Sequence, residues 1–277
     1  MSDVRNALTP AELIARLGGA GQPLVFDVRR RQTVDAVGRM VAGARWRPHD
    51  KAAEWGRSLP AAADVVVYCV HGHEVSQAAA ALLRSLGLKA CYLLGGFEAY
   101  TAAGGPSIGI GARPDCDITP SHWITRERPK VDRIAVPWLV RRFVDPDAVI
   151  HYVAPDRVAA VAEEIGAIPF DIDGVEYSHE GERCSFDTCI ARLGIADDAL
   201  MHLARIVRGA DTARLDLEPE CAGLLAAALG ISSAAADDRQ ALAAGMVIYD
   251  ALYAWVRFAR AERHNWPADW QAARPRA

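Results

Sequence analysis

The sequence contains no unbroken apolar run of the ~18 residues expected of a membrane-spanning helix, which argues against a membrane protein. The opening stretch, residues 1–19, also lacks the continuous apolar core of a secretory signal. Positive charge is not in excess: 31 Lys and Arg face 35 Asp and Glu, for a net charge of −4. That balance argues against a general nucleic-acid partner. The 6 cysteines, Cys69, Cys91, Cys116, Cys184, Cys189 and Cys221, are too few and too irregularly spaced for a disulfide scaffold in 277 residues. The expectation is a cytoplasmic, reduced protein with no membrane association. There is no internal repeat and no long low-complexity tract.

What is present divides at a change of pattern. Residues 1–106 alternate short apolar runs with helical segments. PLVFDV (Pro23–Val28), DVVVYC (Asp64–Cys69) and KACYLL (Lys89–Leu94) read as buried strands. Thr9, Pro10 and Glu12 read as an N-cap, a first helical position and a capping box. An Ala- and Leu-rich helix is expected from Val75 to Leu86, closed by Gly87. This is the signature of an α/β domain, a parallel sheet with helices on both faces. Residues 107–121 are dominated by Gly, Pro and small polar residues and read as a linker. From residue 122 to 277 the pattern becomes mainly α. Val131, Ile134, Ala135, Trp138 and Leu139 fall on one helical face, with Pro137 predicting a kink or a helix start. VAAVAEEIG, DDALMHLARIVRGA, CAGLLAAALG and a long segment from Asp237 to Arg260 continue the helical pattern. The tail from Asn265 is expected to be loosely attached.

The chemistry concentrates in CVHGHEVS, between a buried strand and a helix. A cysteine at a strand end, opening into a helix N-terminus, meets main-chain N–H groups whose dipoles stabilise a thiolate. The same donors suit the terminal sulfur of a persulfide. Cys69 is therefore the candidate nucleophile, with Val70, His71, Gly72, His73, Glu74 and Val75 as its loop. Gly72 lets the chain curl. Cysteine phosphatases need an arginine six positions after the cysteine to grip phosphoryl oxygens. Val75 stands there, which disfavours phosphate transfer.

Over residues 8–106 the chain resembles the rhodanese family, carried by FDVR (Phe26–Arg29), CVHGHEVS and GGFEAYTAAGGP (Gly95–Pro106). The resemblance implies a sulfurtransferase using a Cys69 persulfide, with Asp27 and Arg29 in support. No cofactor is implied, and the partners are a small sulfur donor and a thiol acceptor. The loop carries no cationic residue, so thiosulfate is expected to be a poorer donor than a persulfide.

In the second half, Arg126, Lys130 and Arg133 are candidates for binding an oxyanion; the plainer reading is a solvated helix face. Glu176, His179, Cys184 and Asp211 offer oxygen, nitrogen and sulfur donors for a transition metal, although their spacing matches no closed zinc motif. RPKVDRIAVPWLVRRFVDPDA, PFDIDGVEYSHEGERCSFD, LARIVRGADT and GMVIYDALYAW resemble the C-terminal domain of the ChrB chromate-resistance family. That resemblance implies a link to chromate, and sulfate, a tetrahedral dianion of similar shape, is a chemically reasonable occupant of the same site. Three functions are carried forward: a sulfurtransferase tied to oxyanion resistance, a non-catalytic oxyanion sensor, and a metal-dependent enzyme centred on the C-terminal half. The physiological donor and acceptor, the metal and the oligomeric state are left open by the residues alone.

Overall fold

The computed structural model describes residues 6–262 other than Ala112; the tail expected to be loosely attached lies outside that range. The first half runs β1 (Ala7–Leu8), α1 (Pro10–Arg16), β2 (Leu24–Asp27), α2 (Arg31–Val37), β3 (Arg39–Val41), β4 (Arg45–Trp46), α3 (Ala52–Gly56), β5 (Asp64–Tyr68), α4 (Glu74–Ser85), β6 (Lys89–Leu93) and α5 (Gly96–Ala102). Five of these strands form a sheet in the order β1-β6-β5-β2-β4, and every pairing is parallel. The capping box forms as the sequence predicts: the Thr9 amide donates to Glu12 Oε2 at 2.8 Å, and the Glu12 amide donates to Thr9 Oγ1 at 3.2 Å. Gly87, expected just past the α4 helix, has φ +86°, the left-handed region that suits glycine.

The period of two along β5 sorts side chains onto two faces. Val66 and Tyr68 join a large core that reaches into the second half of the chain. Val65, Val67 and, just past the strand, Cys69 join a smaller core against Ala79, Ala80 and Leu83 of α4. The cysteine thus belongs to the α4 side of the sheet.

The second half runs β7 (Ser107–Gly109), β8 (His122–Arg126), α6 (Val131–Phe143), β9 (Val149–Val153), α7 (Val158–Ile165), β10 (Ile168–Pro169), α8 (Ser185–Arg192), α9 (Asp198–Asp211), α10 (Cys221–Ala234) and α11 (Asp238–Ala254). It is mostly helical, as the pattern predicts, and adds a parallel sheet in the order β10-β8-β9. Trp123, Ile124 and Thr125 of β8 are fully buried, so both faces of the strand are covered and no alternation marks it. Arg126 accordingly ends a strand; it does not lie on a helix face.

Pro137 neither starts nor ends a helix, since α6 continues through it to Phe143. Proline has no N–H for the carbonyl four residues back. That carbonyl, Arg133 O, accepts instead from the Tyr152 hydroxyl of β9 at 2.8 Å.

The segment read as a linker is built into the fold. β7 pairs antiparallel with β3, and Ser107 also bridges Ala196 beyond α8. Further along, Cys116 is buried, with its thiol toward the Val144 carbonyl at 3.7 Å. The segment Asp238–Ala259 is apolar and long enough by composition to cross a membrane. Its Met246, Tyr249 and Tyr253 nevertheless lie in the large core, and Asp250 accepts from Trp138 Nε1 at 2.8 Å. Those contacts are what a core helix makes.

Candidate functional sites

In an open parallel sheet, ligands favour the carboxyl ends of strands where the winding reverses. Here the chain winds from β5 through α4 to β6 in one direction and from β2 to β4 in the other, so the reversal falls between β5 and β2. Cys69 follows β5 directly, and Asp27 and Arg29 close β2.

The Cys69 side chain is buried, and its Sγ lies 3.2 Å from Ser76 Oγ in the first turn of α4. Ser76 Oγ in turn reaches the His73 carbonyl at 3.2 Å. The carbonyls of Cys69 and Val70 accept from the Phe97 and Glu98 amides of α5, at 2.9 and 3.2 Å. Among the described residues, no main-chain N–H from Val70 to Ser76 finds an acceptor within the protein. The loop therefore commits its acceptors to α5 and leaves a run of donors uncommitted.

Two glycines make this close approach feasible. A side chain at Gly72 (φ +71°) would sit 2.4 Å from the Leu93 carbonyl, and one at Gly96 (φ +60°) 2.4 Å from the Val70 carbonyl. His71 Nδ1 lies 3.2 Å from Glu98 Oε2, and the His71 and His73 rings are 5.8 Å apart. Glu74 opens α4, and Val75 sits at its second position.

Asp27 and Arg29 form a buried pair under this loop. Arg29 Nη2 lies 2.5 Å from Asp27 Oδ2, the Tyr68 hydroxyl donates to the same oxygen at 2.8 Å, and Arg29 Nη2 also donates to the Arg39 carbonyl at 2.7 Å. Burial works against the Arg29 charge, yet its bond to Asp27 and the field of Tyr68 hold its pKa above the ordinary value. Burial also pushes the Tyr68 phenol well up. The guanidinium stacks 4.2 Å from the Phe97 ring centroid. Phe97 supplies the amide that holds the Cys69 carbonyl, so the pair braces the loop through α5.

A second constellation occupies a cleft of about 200 Å³ in the C-terminal half, lined among others by Arg126, Lys130, Asp132, Asp171, His179 and Asp211. His179 Nε2 lies 3.2 Å from Asp211 Oδ2, 3.6 Å from Asp171 Oδ1 and 3.7 Å from Asp132 Oδ2. One ligand atom each from Asp132, His179 and Asp211 falls within a common 4.8 Å.

Asp132 is 1% exposed. Its Oδ2 accepts from the Ser185 and Phe186 amides at 2.5 and 3.3 Å, while its Oδ1 is buried without a hydrogen-bond partner. Burial, then the charges of Asp211 and Asp171, raise the Asp132 carboxyl well above the usual range. Burial and Asp171 likewise raise Asp211. Asp171 has two cationic neighbours: Arg126 Nη2 at 3.1 Å and Arg133 Nε at 3.4 Å. Ser185 Oγ donates to Asp171 Oδ1 at 2.8 Å.

Of the predicted metal donors, the fold brings His179 and Asp211 together and leaves two out. Glu176 is exposed and lies outside the converging set. Cys184 is buried as the N-cap of α8, where burial and then Asp132 and Asp187 push its thiol well up. Its Sγ is not among the converging donors. The predicted cations Arg126, Lys130 and Arg133 do share one cleft. Sequence reasoning missed Asp132 and Asp171 as site residues. The available signal was an aspartate flanked by core residues in each case, Val131 and Ile134 around one and Phe170 and Ile172 around the other.

A parallel sheet with a cysteine loop at its point of reversal, packed on a mostly helical second half, defines a rhodanese-like module with an added domain. The rhodanese-like domain family matches residues 9–103, and the family described as ChrB, C-terminal domain, matches residues 123–256. The chain therefore joins a rhodanese-like domain to a ChrB C-terminal domain. Protein ChrB of Cupriavidus metallidurans is 31% identical over 133 residues, 48% of this chain and 40% of that relative. The chain thus covers well under half of that curated relative's length. Among solved structures, a rhodanese-related protein from Thermoplasma volcanium is 24% identical over 37% of this chain and 96% of its own, with a TM-score of 0.33. A rhodanese-like domain protein from Staphylococcus aureus is 23% identical over 34% of this chain and 90% of its own, with a TM-score of 0.31.

Proposed function

We propose that this protein is a cytoplasmic sulfurtransferase that carries sulfane sulfur as a persulfide on Cys69, coupled by its second domain to chromate or sulfate handling. The observation that carries the reading is the run of uncommitted main-chain donors from Val70 to Ser76 directly after the thiol. Donors held in a fixed loop stabilise an anionic sulfur without reorganising when it forms. The cycle needs no cofactor. Cys69 thiolate attacks the outer sulfur of a donor persulfide R–S–S⁻, forming the Cys69–sulfur bond as the donor's S–S bond breaks and R–S⁻ leaves. An acceptor thiolate then attacks the outer sulfur on Cys69 and expels the Cys69 thiolate, which restores the resting state.

The loop supplies no guanidinium or ammonium to grip a sulfonate, so a low-molecular persulfide is the preferred donor over thiosulfate. All six thiols are free, in keeping with a reducing compartment. A non-catalytic oxyanion sensor is favoured by Arg126, Lys130 and Arg133 sharing a cleft, but Asp171 already engages two of the three.

The test is intact-mass and peptide mass spectrometry after exposure to glutathione persulfide or thiosulfate. The expected result is one added sulfur on Cys69 from the persulfide, slower loading from thiosulfate, and none at that peptide in Cys69→Ala. A wild-type protein that takes sulfur from neither donor, or takes it only on other cysteines, would sink the reading.

A further inference from the structure

We propose that Asp132, His179 and Asp211 bind one divalent first-row transition ion, of the Mn²⁺ or Fe²⁺ kind, in the C-terminal cleft. The site is independent of the cysteine chemistry. It is assembled from three separate parts of the chain: the first turn of α6, the loop before α8, and the end of α9.

Their donor atoms converge within 4.8 Å. His179 lies within ion-pair range of three carboxylates, yet among the described residues none of these contacts is a hydrogen bond. A second observation points to a ligand. Asp132, a side chain 1% exposed, lines the same cleft, and its buried Oδ1 has no hydrogen-bond partner. A buried carboxylate oxygen left unpaired is costly, and a cation there removes both that cost and the repulsion between Asp132 and Asp211.

The donor chemistry narrows the ion. Two carboxylates and one imidazole make a set harder than the thiolate sites that select Cu(I), and softer than the all-oxygen cages of Ca²⁺. Asp171 is not available as a fourth ligand on the same terms, because Ser185 and the guanidinium of Arg126 take its oxygens. It acts as a bracket, holding Arg126 and Arg133 beside the site. Three protein donors leave further coordination positions open toward the cleft, as in catalytic rather than closed structural sites.

The experiment uses the full chain, stripped with chelator and titrated with Mn²⁺ while the electron paramagnetic resonance of free Mn²⁺ is followed. Zn²⁺ serves as competitor. The expected result is one ion per chain, with binding weakened on the order of tenfold or more in Asp211→Asn and in His179→Ala. Both residues are partly exposed, so these variants keep the test sound if Asp132→Asn fails to fold. Mn²⁺ should raise the melting temperature of the wild type and leave Asp211→Asn unchanged. Cys69→Ala should bind Mn²⁺ as the wild type does, which separates this site from the persulfide reading. Absence of stoichiometric binding of either ion, or equal binding by wild type, Asp211→Asn and His179→Ala, overturns the proposal.

Discussion

Burial raises the thiol pKa of Cys91, Cys116, Cys184, Cys189 and Cys221. Cys116 is the case with a measurable consequence. Burial pushes its pKa from 9.0 to about 11, with Asp145 and Asp117 adding to the rise and Arg113 opposing it. A thiol whose pKa is higher in the folded state favours folding most below its unfolded pKa. That contribution is lost as pH rises through the window from 9.0 to about 11, because the unfolded chain ionises first. At ~1.4 kcal/mol per pKa unit, the loss is at most about 3 kcal/mol. Urea denaturation of wild type and Cys116→Ala across this range should show the cost of the substitution shrinking steadily with pH. A cost independent of pH would mean the thiol is not held protonated by the fold.

The α6 helix shows how one element answers to another. Pro137 leaves the Arg133 carbonyl without its helical donor, and Tyr152 of β9 supplies one at 2.8 Å. Tyr152→Phe should destabilise by about 1–2 kcal/mol, the usual cost of a lost buried hydrogen bond. In a Pro137→Ala background the helix regains its own N–H, so the same substitution should cost clearly less. A double-mutant cycle by chemical denaturation measures this coupling, and purely additive costs would refute it. The pairing also illustrates what the sequence makes legible. The Thr9–Glu12 cap and the strand–Cys69–helix loop depend on residues close in the chain, and both were readable. The β8-β9-β10 sheet was not, because a strand covered on both faces shows no alternation. Ser107–Gly109 hid in a Gly- and Pro-rich stretch because its partners, Arg39–Val41 and Ala196, lie far away in sequence. Asp132 and Asp171 escaped because only folding brings them, with Asp211, around His179.

The family boundaries divide the chain in two, but its packing does not. Leu13, Leu17, Val25 and Met40 of the first half share one core with Trp138, Phe143, Tyr249 and Tyr253 of the second. A side chain at Gly18 would collide with the Tyr253 ring at 2.2 Å, so α11 lies directly on the turn after α1. Polar contacts cross the same boundary. Arg45 reaches Asp145 and Asp147, each at 2.7 Å, the Gly43 amide donates to the Phe143 carbonyl at 2.7 Å, and Arg257 donates to the Leu17 carbonyl at 3.0 Å. Independent modules joined by a flexible linker would unfold separately, each with its own transition. A shared core instead makes each half part of the other's stability, so the chain should unfold in one cooperative step. Calorimetry should give a single endotherm whose van't Hoff and calorimetric enthalpies agree. Gly18→Ala, which drives a methyl into the Tyr253 ring and also strains a backbone at φ +77°, should lower the whole transition without splitting it. Two resolved transitions in the wild type, with Gly18→Ala shifting only one, would show that the core is divided where the families meet.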